Sequence, residues 1–112
     1  MRKINIYEKA LCCPTGVCGP SVDPDLIRLT AQTKRINQSE NVRVLRRNLA
    51  QNPNAFVREQ QVAKLIAEYG IAILPVTVVA GKVMKLGGYP TTAEMSAYSG
   101  MDLADGGHLE QV

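Results

Sequence analysis

Ile71-Ala72-Ile73-Leu74-Pro75-Val76-Thr77-Val78-Val79-Ala80-Gly81-Lys82-Val83-Met84-Lys85-Leu86 is the stretch whose reading decides the fold. Ile71 to Val79 is a nearly continuous aliphatic and β-branched run, the composition of a buried strand. Ala80-Gly81-Lys82 turns it into the shorter run Val83 to Leu86, so the stretch predicts a hairpin. Pro75 is disfavoured inside a central strand but tolerated at a strand entrance, and a cis peptide bond is expected before it. Downstream, Gly87-Gly88-Tyr89-Pro90 reads as a loop. Thr91-Thr92-Ala93-Glu94 has the spacing of a capping box and predicts a helix through about Ser99. The remainder, from Gly100 to Val112, reads as a flexible tail, and His108 between glycine and leucine in that tail is expected to be an ordinary exposed residue.

Upstream, Ala55 to Tyr69 places Phe56, Val57, Val62, Leu65, Ile66 and Tyr69 at helical spacing with Gly70 as a C-cap, and predicts one helix. A polar loop, Asn48 to Asn54, precedes it. Val42 and Val44, with Arg46 continuing the alternation, predict a strand. Asp23-Pro24-Asp25 offers an N-cap, a proline for the first helical position and an acid for the first turn, so a helix is expected from there to about Asn37. Ile4 and Ile6 alternate in a first strand ending near Tyr7 or Glu8. The resulting order, βαβαββα, is a parallel pair joined by a helix, then an antiparallel hairpin with a covering helix. That is an α/β, thioredoxin-like arrangement with a four-stranded mixed sheet flanked by helices, expected as a single domain over residues 1–112.

A chain of 112 residues with 46% hydrophobic content can form a modest core without disulfide staples. No apolar run approaches a membrane span, and the polar start Met1-Arg2-Lys3 is unlike a signal peptide, so a cytoplasmic protein is expected. The net charge is +3, and Arg43, Arg46 and Arg47 form the one tight basic group. With four tyrosines, one phenylalanine and no tryptophan, the chain lacks the basic stripe with aromatics typical of a nucleic-acid reader, so a solvated surface is the favoured reading of its charge.

The chemistry lies between the first strand and the first helix, in Leu11-Cys12-Cys13-Pro14-Thr15-Gly16-Val17-Cys18-Gly19-Pro20. Cytosolic thiols are kept reduced, so three cysteines this close read as ligands or reactive groups rather than as a disulfide framework. Adjacent Cys12 and Cys13 converge on one ion only if the chain bends, and Pro14 to Gly16 supplies turn residues. Cys18 can close the third side, with a nearby helix N-terminus favouring its thiolate. Three thiolates without an obvious fourth ligand suit trivalent arsenic or antimony, which keep a lone pair in the fourth direction. Structural zinc is almost always four-coordinate and fits less well; copper(I) also favours soft thiolates and stays open on spacing alone. The thioredoxin dithiol spacing, Cys-x-x-Cys, is absent, which counts against a thiol oxidoreductase without removing it as the alternative.

Cys12-Cys13-Pro14-Thr15-Gly16-Val17-Cys18-Gly19, with Val22-Asp23, Asn48-Leu49-Ala50-Gln51, Leu74-Pro75 and Gly88-Tyr89-Pro90, resembles the ArsD family of arsenical-resistance proteins. The resemblance implies a carrier rather than an enzyme. It would hold As(III) or Sb(III) as cargo on Cys12, Cys13 and Cys18, use no organic cofactor, and deliver the metalloid to the ArsA ATPase of an arsenite efflux pump. It further implies a homodimer that weakly represses its own operon by acting on operator DNA. Some family members carry extra vicinal cysteine pairs towards the C-terminus; this sequence has no cysteine after Cys18.

Overall fold

The computed structural model describes residues 1–18 and 22–103. Its elements are β1 (Arg2–Glu8), α1 (Pro24–Asn37), β2 (Val42–Asn48), α2 (Pro53–Arg58), α3 (Gln60–Tyr69), a 3-10 turn (Ile71–Ile73), β3 (Val76–Val79), β4 (Lys82–Leu86) and α4 (Thr92–Ser99). The strands form one sheet in the order β2-β1-β3-β4. β1 runs parallel to β2 and antiparallel to β3, and β3 pairs antiparallel with β4. This is the mixed thioredoxin-like sheet expected from the sequence.

Alternation along the strands sends successive side chains to opposite faces. Ile4, Ile6, Val42 and Val44 pack with Leu29 and Ile36 of α1 and with Met95 and Tyr98 of α4. Tyr7, Val76 and Val78 face the other way, against Phe56 of α2 and Val62 of α3. The sheet is thus covered on both faces, and that burial of apolar surface holds the layers together.

The local signals act where they were expected. The Asp23 carboxylate accepts from the Asp25 amide at 2.8 Å, with Pro24 in the first turn of α1. Thr91 and Glu94 form a reciprocal capping box at α4. The Leu74–Pro75 peptide is cis, and Ala80 (φ 51°) with Gly81 (φ 82°) makes the two-residue hairpin turn.

Three elements differ from expectation. The helix expected over Ala55–Tyr69 is two helices, broken where Glu59 is extended (φ −89°, ψ 99°). Six residues apart on one continuous helix, Phe56 and Val62 would point about 120° apart; the break lets both be buried. The strand expected from Ile71 starts only at Val76, after the 3-10 turn, because Pro75 has no N–H to give the ladder. Finally, the stretch expected as a tail from Gly100 begins inside packed structure, with Leu103 buried in the α1/α4 cluster and Met101 packed against it. The rest of that stretch, 104–112 with His108, lies outside the described residues. Among the described residues no helix is long and apolar enough to cross a membrane.

Candidate metal centre

The cysteine segment leaves the C-terminal end of β1 after Glu8. The register sets Val76 opposite Tyr7 and Asn48 beside Glu8, so Pro75 enters β3, and β2 ends, at the edge of the sheet where the loop departs. Irregular backbone at this end, carried on a rigid sheet, is where open α/β folds place binding groups.

The bend needed to bring the cysteines together is a turn over Cys13-Pro14-Thr15-Gly16, closed by a hydrogen bond from the Gly16 amide to the Cys13 carbonyl at 3.1 Å. Proline at the second position and glycine at the fourth are the residues such a turn favours. Gly16 sits at φ +75°, and a Cβ there would lie 2.9 Å from Cδ1 of Leu26 in α1 and 3.4 Å from both Leu11 methyl carbons. Backbone conformation and space therefore both select glycine.

The three sulfurs, Cys12, Cys13 and Cys18 Sγ, all lie within 4.8 Å of one another. Cys12 and Cys18 are joined as a disulfide, whereas Cys13 is a free thiol whose sulfur is 3.9 Å from that of Cys12. All three predicted residues are thus brought together, in an oxidised state that the expectation of reduced thiols did not include. Proximity is the physical reason: a loop that gathers three sulfurs within 4.8 Å also brings two of them within bonding range of each other.

Cys13 is the thiol poised to ionise. The Thr15 hydroxyl, 3.6 Å from its sulfur, holds its pKa below the ordinary value; the Gly16, Thr15 and Val17 amides assist, and desolvation offsets part of the effect.

Sequence reasoning missed a buried polar group beneath the loop. Glu8 and Arg46 form a two-pronged ion pair, Nε to Oε2 at 2.8 Å and Nη2 to Oε1 at 2.7 Å, with side-chain exposures of 1% and 8%. Tyr89 donates its hydroxyl to the same Glu8 Oε1 at 2.7 Å. Burial, followed by the hydrogen bond to Glu8, keeps that phenol protonated well above its usual range. The signal was present: residues 4, 6 and 8 and residues 42, 44 and 46 share one sheet face by parity, which turns Glu8 and Arg46 towards α1. Arg46, counted with Arg43 and Arg47 as a surface basic group, is instead internal and neutralised.

A thioredoxin-like sheet carries three clustered cysteines at the end of β1, without the Cys-x-x-Cys spacing, and their sulfurs lie close enough together to hold a metal ion. The family model "Arsenical resistance operon protein ArsD" matches residues 1–111, and the chain belongs to the ArsD family. A relative from Halobacterium salinarum, also named ArsD, is 36% identical over 97 residues, covering 87% of this chain and 90% of its own. An Escherichia coli relative named arsenical resistance operon trans-acting repressor ArsD is 34% identical over 103 residues, 92% of this chain and 85% of its own. The crystal structure of an arsenical resistance operon trans-acting repressor from Bacteroides vulgatus superposes with a TM-score of 0.82 at 35% identity, covering 89% of this chain and 93% of that one.

Proposed function

We propose that the reduced protein is a cytoplasmic arsenic metallochaperone. It holds one As(III) or Sb(III) on the thiolates of Cys12, Cys13 and Cys18 and passes it to an ArsA-type ATPase of an arsenite efflux pump. The observation that carries this reading is the gathering of three sulfurs within 4.8 Å on one loop of an ArsD-family chain. The Cys12–Cys18 bond must first take up two electrons and two protons from a thiol reductant, which is oxidised to its disulfide. Arsenous acid then exchanges its three hydroxyls for three thiols and releases three waters. Transfer runs through the same exchange in steps, each acceptor thiol protonating and displacing one donor sulfur, so the metalloid is never without ligands. The protein is not an enzyme in this scheme; ATP hydrolysis belongs to the partner.

The trans-acting repressor names of the Escherichia coli relatives support a second, weaker role of a homodimer at operator DNA of the ars operon. The disulfide beside a free thiol favours the competing reading, a thiol oxidoreductase.

Arsenic K-edge absorption on the reduced protein with one equivalent of arsenite separates these. Three sulfur neighbours, with binding weakened in each of Cys12→Ala, Cys13→Ala and Cys18→Ala, are expected of the carrier. Two sulfurs with indifference to one cysteine, together with turnover of disulfide substrates, would replace it with the oxidoreductase.

A further inference from the structure

We infer that Arg46 is a positioning residue for the cysteine loop, holding the Thr15 carbonyl so that the three sulfurs converge; the inference rests on the trithiolate reading above. Arg46 Nη2 donates to the Thr15 carbonyl at 3.2 Å, and Nη1 donates to the Thr30 hydroxyl of α1 at 3.1 Å. One guanidinium thereby ties together the end of β1 through Glu8, α1 through Thr30, and the turn that carries Cys13. Among the described residues, the other hydrogen bonds of residues 9–18 all stay inside that segment: Gly16 to Cys13, Val17 to Thr15, and the contacts of the Cys13 sulfur with Cys12 and Thr15. Among the described residues, the bond to Arg46 is the one hydrogen bond that ties the turn to the rest of the fold, beside the packing of Gly16 on Leu26. It attaches between the second and third cysteines, where a shift of the turn would alter the distance of Cys18 from the other two.

The chemistry suits this task. An arginine is permanently charged and presents donors in a rigid fork, so a carbonyl can be held while the carboxylate of Glu8 keeps both prongs. A buried ion pair is weak evidence for stability, because well-packed apolar residues often serve as well. Its presence under a ligand loop, with Tyr89 and Thr30 completing it, is accounted for by the orientation it imposes. Groups that orient ligands from behind typically change metal affinity by about 10- to 100-fold when removed.

The test uses the reduced full chain and arsenite. In Glu8→Gln/Arg46→Gln the two amides stay paired near the Arg46 Nε position without leaving a lone buried charge, but no donor reaches Thr15. Arsenite should then bind at least about tenfold more weakly, with one sulfur neighbour replaced by oxygen at the arsenic edge. Arg46→Lys, which keeps the charge opposite Glu8 but lacks the fork that also reaches Thr15, should fold and yet bind as weakly as the amide pair. Gln32→Ala, which removes a bond from α1 to Thr92 and touches neither Arg46 nor the turn, should bind within about twofold of the parent. If the amide pair does not fold, Glu8→Leu/Arg46→Met carries the same expectation. A folded pair variant with unchanged affinity and three sulfurs would overturn the inference, as would equal weakening by Gln32→Ala. A parent that binds arsenite through fewer than three sulfurs would instead sink the trithiolate reading, and the inference with it.

Discussion

Gly16→Ala and Gly81→Ala put the same methyl group on two backbones of nearly the same conformation, φ +75° and φ +82°, in different surroundings. Alanine in the left-handed region costs about 1–2 kcal/mol, partly offset because alanine also restricts the unfolded chain by about 0.4–1 kcal/mol. At Gly81 nothing lies within 4 Å of the new Cβ, so backbone strain alone remains, about 1 kcal/mol. At Gly16 the Cβ arrives 2.9 Å from Leu26 Cδ1, and Leu26 is buried at the start of α1, so its methyl yields only by repacking. Overpacking of that kind costs about 1 kcal/mol or somewhat more, giving about 2 kcal/mol in total. For a domain of this size 1 kcal/mol moves Tm by roughly 4 °C. Thermal and urea unfolding of the reduced proteins should therefore show Gly81→Ala about 4 °C and Gly16→Ala about 8 °C below the parent. Only Gly16→Ala should also weaken arsenite binding, because only that turn carries one of the proposed ligands, Cys13. Equal losses at the two sites would refute the close approach of Leu26; no loss at either would refute the left-handed backbone.

Two further outcomes follow from single contacts. Thr15→Val removes the hydroxyl beside the Cys13 sulfur, so the pH midpoint for alkylation of that thiol, held low in the parent, should move upward; iodoacetamide rates across pH read it, and an unmoved midpoint would assign the lowering to the loop amides. Glu94 has a lowered pKa, chiefly from the Lys85 ammonium at 2.6 Å and the Thr91 amide. Its contribution is therefore present above the unfolded carboxyl pKa and is lost as pH falls through the lower folded value. Glu94→Gln should flatten the acid limb of a stability–pH curve in that window, and an unchanged slope would show the contact to be without linkage.

Much of this architecture was legible locally. Asp23 with Pro24, the Thr91–Glu94 box and the Ala80-Gly81 turn act through groups one to three residues away, so their consequences are written in short segments. The cis bond before Pro75 was legible for the same reason, whereas the strand expected from Ile71 begins only at Val76. The break at Glu59 was not, because no glycine or proline marks it. It lets Phe56 and Val62, which one continuous helix would point apart, enter the same core on one face of the sheet, and that core exists only once the sheet is in place.

The sequence by itself determined the order of elements, the three candidate ligand residues and the turn chemistry that lets their chain bend. Tertiary structure decided how near the three sulfurs lie and that Cys12 and Cys18 can bond. It also decided that Arg46, 28 residues beyond Cys18 in the chain, holds the turn from beneath. The physical reason is that caps and turns are satisfied by neighbours along the chain. A buried charge is satisfied only by what tertiary pairing brings to its side, and the parallel pairing of β1 and β2 brings Glu8 to Arg46, 38 positions away.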